Sequence, residues 1–359
     1  MEQPDPRARY RAPETRDGRI VTSAHAMRLL TSLRTEGPGV TLFSLGGIIA
    51  GLSYHALWEP ASGNYFFASI VGFSIGLGVH LTRLALERTE PGRWLQRRPF
   101  YISTPIELVT YMAVATLALD LDGRALEGRS YVDQKAILYS LDVAWRLVLL
   151  WKIVRLIGGA TLLNLAIGRY NRPVRDARAF LFLDLTGSTA ITERLGETET
   201  QALLSQFYFD IARPIAEWGG EIYQYRGDEI SISWPMRRAV RRAAPIGCAQ
   251  AIQAAIARRA AAYQARFGLV PRFRIGLHGG PVVAGEVGDA KREIVFFGDT
   301  LNTAARLIQA AKQHGVGTCI SASLLAEMTL PDRVAATSLG PVDLRGKQAP
   351  IELYALTFA

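Results

Sequence analysis

Three short segments carry residues whose types and spacing fit one chemistry, a reaction at phosphate. The first is residues 179–185 (AFLFLDL), a compact apolar strand holding a single acid, Asp184, followed at once by Thr186, Gly187, Ser188 and Thr189. A carboxylate at the end of a buried strand costs desolvation energy unless a cation or hydrogen bonds compensate it. A strand, a Gly/Ser/Thr turn and a helix start also expose backbone N–H groups and a positive helix end, which suit phosphate; Ser or Thr before a helix serves equally as an N-cap. The second segment is residues 221–234, two alternating strands around Gly227-Asp228. Glycine first in a two-residue loop predicts a type II′ hairpin with Asp228 presented at its tip, although an isolated Gly-Asp is usually an ordinary turn. The third is residues 296–307, where Asn302 and Arg306 stand four apart and share a helix face. An amide and a guanidinium on one face can grip ribose and phosphate oxygens, yet the spacing alone has almost no specificity.

In this order the three segments resemble the class III adenylate/guanylate cyclase domain, over about residues 173–359. The strand ending in Asp184 resembles the family's first metal-binding segment, and Arg226-Gly227-Asp228 resembles the hairpin with its second metal-binding Asp. Asn302 and Arg306 match the Asn-x-x-x-Arg pair that stabilises the transition state. Residues 188–196, 274–280 (RIGLHGG) and 285–288 (GEVG) also look like this family, and Leu344-Arg345-Gly346-Lys347 resembles the segment whose lysine contacts the triphosphate. The resemblance implies an α+β, ferredoxin-like catalytic domain that works as a head-to-tail homodimer. It implies two Mg²⁺ or Mn²⁺ ions per site on Asp184, the Leu185 carbonyl and Asp228, with substrate on Thr186, Gly187, Ser188, Thr189 and Lys347. The implied reaction is attack of the ribose 3′-oxygen on the α-phosphorus of a nucleoside triphosphate, with loss of pyrophosphate. Arg306 would offset charge on the phosphate and Asn302 would orient the ribose. In the family these two groups and the metal residues reach one site from different chains, so a homodimer here would hold two equivalent sites.

The two base-reading positions depart from the family pattern. Gln224 stands where adenylate cyclases usually have Lys and guanylate cyclases Glu, and Val295 stands where Asp or Thr reads adenine and Cys reads guanine. A Gln amide can donate to adenine N1 or to guanine O6, and Val295 cannot hydrogen-bond. Guanine's N1–H and amino group need an acceptor carboxylate that is missing, so ATP is the expected substrate. The alternatives are a guanylate cyclase, or a catalytically weak nucleotide-binding or dimerisation module. The filled metal and transition-state positions argue against the module.

The rest of the chain must hold this domain in place. Of 359 residues, 49% are hydrophobic, too many for a purely soluble protein and too few for an all-membrane one, so two domains are expected. Only two cysteines are present, Cys248 and Cys319, too few for a disulfide framework or a cysteine metal site, and a reducing compartment fits them. Apolar runs at 39–57, 65–86, 100–121 and 136–157 are each near the roughly 20 residues that span a bilayer. Arg7, Arg9, Arg11, Arg16, Arg19, Arg28 and Arg34 precede the first run, and the 58–64 loop has no Lys or Arg. Arg88, Arg93, Arg97 and Arg98 follow the second run, and Arg169, Arg172, Arg175 and Arg178 follow the fourth. By the positive-inside rule both termini are cytoplasmic, as four spans also require. The expected division is a basic N-terminal segment (1–38), a four-helix transmembrane domain (39–157), a helical linker (158–178) and the catalytic domain (179–359). The N-terminal arginines fit a disordered tail or a segment held on anionic lipid.

Several polar features need a reading of their own. His55, His80, Glu107, Asp142 and Arg146 fall inside the spans; intramembrane ionisable groups are functional candidates, but Asp142 and Arg146 are expected to neutralise each other at their four-residue spacing. His55 and His80 fall toward opposite ends of the membrane, too far apart for one shared haem. In the linker, Leu156, Ala160, Leu163, Ile167 and Tyr170 have coiled-coil spacing over about two heptads; a helix lying on a surface would show the same pattern. Arg237, Arg238, Arg241 and Arg242 lack the surrounding aromatic pattern of a nucleic-acid site, so a solvated face is expected there and no nucleic-acid partner. A transporter or channel role has little support in so few paired membrane charges.

Overall fold

In the computed structural model of the chain, residues 39–58, 64–96, 98–128, 130, 132–289, 292–344 and 349–358 are described. The basic segment 1–38 and Lys347 lie outside the described residues. The chain divides into two compact units, Met1–Trp151 and Lys152–Ala359.

The first unit is helical: α1 (Gly39–Trp58), α2 (Tyr65–Arg88), α3 (Glu90–Gln96), α4 (Phe100–Glu127) and most of α5 (Gln134–Ile157). Three of these, α1, α2 and α4, are long and apolar enough to cross a membrane, each with a mean hydropathy of 1.5. The expectation of four such helices is not met by α5, because Asp142, Arg146, Lys152 and Arg155 interrupt its apolar run. Asn64 starts α2 by accepting a hydrogen bond from the Phe67 amide at 3.2 Å, and Gly128, at φ +70°, ends α4. At Gly47 and Gly51 of α1 and Gly72 and Gly76 of α2 the two backbones touch. A methyl group at any of the four would strike a carbonyl on the other helix, which is the small-residue packing that membrane helices use. Phe43, Val79, Tyr111, Ala144 and Val148 make one buried cluster from α1, α2, α4 and α5, so α5 packs as a member of the bundle. Asp142 and Arg146 form the expected ion pair, at 2.8 Å. Arg83 is buried, pairs with Glu87 at 2.7 Å and lies 4.2 Å over the Trp151 ring.

The second unit is built on an eight-stranded mixed sheet, ordered β2-β3-β1-β4-β6-β8-β7 with β5 on β4. The strands are β1 (Val174–Leu185), β2 (Glu221–Arg226), β3 (Glu229–Pro235), β4 (Phe273–Val287), β5 (Glu293–Phe297), β6 (Thr318–Ser321), β7 (Val334–Val342) and β8 (Ile351–Phe358). Helices α7 (Ser188–Leu195) and α8 (Glu197–Glu217) separate β1 from β2. Helices α9 (Met236–Arg241), α10 (Ala244–Arg258) and α11 (Ala260–Phe267) separate β3 from β4. The first four strands thus follow a β-α-β-β-α-β path, a split βαβ pair. Strand β1 is antiparallel to both β3 and β4, whereas β4 and β6 run parallel.

Burial on both faces explains why β1 reads as a continuous apolar run rather than an alternation. Leu181, Leu183 and Leu185 face a core shared with Leu203, Phe207, Ile211 and Ile215 of α8. Phe180 and Phe182 face Val282, Ala284, Phe296, Ala304 and Ile308. Strand alternation puts Asp184 on that second side. The linker is not one helix over 156–172: Gly158, at φ +91°, separates α5 from the short α6 (Gly159–Ala166). Leu156, Leu163 and Ile167 are exposed, whereas Tyr170 is buried in the second core.

Candidate active site

Two strands and one turn bring two acids together. Arg226 pairs with Glu229 across β2 and β3, leaving Gly227-Asp228 as a two-residue turn. Gly227 has φ +63° and Asp228 does not share the positive φ, as the expected II′ turn requires. Two contacts hold the turn, one to the end of β1 and one to α8: the Leu185 amide donates to the Asp228 carbonyl at 3.4 Å, and the Tyr208 hydroxyl donates to the Gly227 carbonyl at 2.9 Å. The Tyr208 ring packs on Tyr225 at 4.8 Å. The Asp184 carboxyl is thereby within hydrogen-bond reach of Asp228. Burial first, then the negative Asp228 and Glu229, raise the Asp184 pKa to about 6, with Arg274 opposing.

Such a pair fits a hard divalent cation. Among the described residues no group of three or more His, Cys, Asp or Glu side chains could hold a metal. Magnesium-type sites use one or two carboxylates and complete their shell with water and substrate oxygens, and the donors here are oxygen only. A cation between Asp184 and Asp228 would also remove the repulsion that raises Asp184.

Next to the acids is a cavity of about 360 Å³. Its walls are Asp184, Leu185, the loop Thr186, Gly187, Ser188 and Thr189, and then Arg274, Ile308, Gln309 and Lys312. Gly187, at φ +74°, is itself the N-cap of α7, and no side chain caps that helix. The N-cap reading of Ser188 and Thr189 therefore fails, and the first-turn N–H groups are without a side-chain cap. The Thr186 amide donates to the Arg272 carbonyl at 2.7 Å, and its hydroxyl accepts from Arg274 at 3.1 Å.

Asn302 and Arg306 lie on α12 (Asp299–Gln313), one exposed and the other half-buried, and neither lines the cavity beside their own chain's Asp184. Gln224 is exposed on β2 and Val295 half-buried on β5. Their neighbours clamp the two strands: the Phe296 amide donates to the Tyr223 hydroxyl at 3.3 Å, and the two rings lie 4.9 Å apart. Arg226 donates to the Gln224 side-chain oxygen at 3.4 Å.

Sequence reasoning missed Tyr208, Gln309 and Lys312 and assigned no role to Arg274. Arg274 pairs directly with Asp184 across β1 and β4, a register that eighty-nine intervening residues hide. Lys312 had one visible signal, its place on the same predicted helix as Arg306.

Comparison with known proteins gives a consistent result. Residues 172–357 match the family described as the adenylate and guanylate cyclase catalytic domain. Adenylate cyclase 2 of Rhizobium meliloti is 34% identical over 324 residues, covering 86% of this chain and 88% of that protein. Adenylate cyclase 1 of the same organism is 30% identical over 179 residues, but the match spans only 26% of its length. In fold, the chain resembles a bacterial light-regulated adenylyl cyclase, with a TM-score of 0.52 and 20% identity over 62% of this chain and 65% of that one.

Proposed function

Because the chain belongs to the adenylate and guanylate cyclase catalytic-domain family, we propose that it is a membrane-anchored adenylate cyclase that converts ATP to 3′,5′-cyclic AMP and pyrophosphate. The observation that carries this reading is the Asp184–Asp228 pair, with Asp184 lining a cavity that an uncapped helix start and Arg274 also line. Asp184, Asp228 and the Leu185 carbonyl are the groups that would hold two Mg²⁺ or Mn²⁺ ions. Bound there, such ions acidify the attacking hydroxyl and neutralise the leaving group.

The protein's own groups divide the remaining work. The Thr186–Thr189 amides and the Arg274 guanidinium bind and orient the triphosphate, and Lys347 is assigned to the same task. Arg306 offsets charge growing on the α-phosphate, and Asn302 holds the ribose. Since α12 turns Ile308, Gln309 and Lys312 rather than Asn302 and Arg306 to its own chain's cavity, the latter pair serves a second copy, and the working enzyme is a homodimer with two shared sites. Arg226 bears on base choice. A guanidinium only donates, so it engages the Gln224 oxygen and leaves the amide NH₂ to meet the base. Adenine N1 accepts that donor, whereas the N1–H of guanine finds no acceptor. Val295 packs against the ring.

The anchor is four spans, with α5 crossing beside the three apolar helices and its Asp142–Arg146 pair neutralised. Both termini and the catalytic domain then face the cytoplasm. The proposed division is 39–157 for the anchor, 158–178 for the linker and 179–359 for catalysis, with the membrane part free to regulate the rate.

Two experiments test this reading. Purified full-length chain with Mn²⁺ should turn over ATP well ahead of GTP; equal or reversed turnover would defeat the adenine assignment. Asp184→Ala and Asn302→Ala chains should each be inactive alone, and co-expression should restore one of the two sites in each mixed dimer. If the mixture stays inactive, the shared site is wrong.

A further inference from the structure

The first unit holds a second cavity, partly open and of about 270 Å³, between α1, α2, α4 and α5. One wall is Gly47 and Gly51 with Gly72 and Gly76. The backbone contact of α1 and α2 leaves no side chain there to fill the bundle axis. The opposite wall is a single stripe of α5: Ala136, Tyr139, Ser140, Val143, Ala144 and Leu147. These lie at i, i+3, i+4, i+7, i+8 and i+11, one face of one helix. Below the cavity Phe43, Val79, Tyr111 and Val148 close the bundle.

The other end is polar. Tyr54, His55, Ser130, Asp133, Tyr139 and Ser140 line it; the Tyr139 hydroxyl donates to the Ala50 carbonyl at 3.1 Å and keeps its oxygen to accept. His55 is 4% exposed and sits edge-on to Tyr65. Tyr54, Trp58 and Tyr139 pack on one another at 5.0, 5.3 and 5.5 Å, the composition of a membrane–water boundary. Trp58, ending α1, and Tyr65, starting α2, flank in sequence a stretch, 59–63, that has no Lys or Arg.

Interiors leave few voids larger than a water molecule, and a large unfilled apolar one costs stability. An apolar cavity of about 150 Å³ accepts a benzene-sized guest, so this one takes a single ring system or a medium alkyl chain, not a two-chain lipid. Among the described residues the lining holds no Lys or Arg to neutralise an anion, and the carboxylate of Asp133 disfavours one. We propose that the four-helix unit is a receptor for a lipophilic small molecule with one neutral, hydrogen-bonding head group. The head sits among His55, Tyr139 and Ser140, and the carbon skeleton lies along the glycine wall. Its occupant rests against α5, the helix that runs on covalently toward the catalytic unit.

The test reads binding rather than turnover, so it stands or falls apart from the cyclase reading. Full-length protein in phosphatidylcholine vesicles is irradiated with a diazirine-bearing decanol, and labelled residues are located by peptide mass. Label should fall on the cavity-facing residues of α2 and α5, and excess decanol should displace it while decanoate does not. Ala136→Phe, and separately Ser140→Phe, should each cut that label by about tenfold or more, as filling a pocket does. Ser140→Phe sits at the polar mouth and carries the test if the Ala136 variant is not recovered as dispersed protein. Label confined to outward residues such as Ile49 and Ile106, label unchanged in the recovered variants, or equal displacement by decanoate would overturn the proposal.

Discussion

Asp184 titrates at about 6 in the folded chain against 3.8 for an ordinary Asp, because burial and Asp228 both disfavour its charge. Between those values the folded state keeps a proton that the unfolded state has released, so without metal stability falls as pH rises through this window. Thermal unfolding in chelator should therefore show a midpoint that declines from pH 4 to 6, and Asp184→Asn should flatten that slope. Added Mn²⁺ should raise the midpoint more at about pH 7 than at about pH 5, since the cation must displace that proton. Tyr208→Phe keeps the ring against Tyr225 but removes the bond to the Gly227 carbonyl. One lost hydrogen bond of about 1 kcal/mol should raise the Mn²⁺ concentration for half-maximal turnover about fivefold. Arg306→Ala should lower turnover by about a hundredfold with little change in KM, as loss of a group that acts on transition-state charge does.

At the scale of elements, the hairpin that carries Asp228 depends on Gly227, whose φ of +63° disfavours any side chain. Gly227→Ala should cost about 1 kcal/mol, which for a unit of this size lowers the melting point by about 2–4 °C, measurable by circular dichroism. This turn was legible in the sequence because Gly-Asp between alternating residues is a local signal. So was β1, whose unbroken run of apolar residues reflects burial on both faces. Features set by distant pairing were not legible. Arg274 reaches Asp184 only through the β1–β4 register, and the parallel β4–β6 contact joins strands forty-odd residues apart. The apolar length of 136–157 reads as a span, yet its four charges weaken that signal, and packing against three other helices is what identifies α5 as part of the bundle. The spacing after residue 156 reads as one continuous helix, whereas Gly158 divides it, because apolar periodicity says nothing about the glycine that interrupts it.

For the whole molecule, the direction of the chain through the bilayer can be read chemically. Cys248 and Cys319 are fully buried, and burial pushes the Cys319 thiol up to about 12, so the background of reactive thiol is low. Ala61→Cys should react with an impermeant maleimide on intact cells, and Arg98→Cys only after permeabilisation; the reverse pattern would invert the topology. A last consequence follows from Gly158. An unbroken helix would deliver torque to the catalytic half; where α5 and α6 are separated by a glycine at φ +91°, any drive from the membrane part is expected to arrive as a pull or a push. The two kinds of drive respond differently to added length. Each alanine inserted between Ile153 and Gly158 advances the helix by about 1.5 Å and rotates it by about a quarter turn. Turnover that oscillates with one to four insertions would mean that rotation is transmitted after all. A steady drift in one direction is the expected result, with the glycine acting as a slip joint between a rotating shaft and its load.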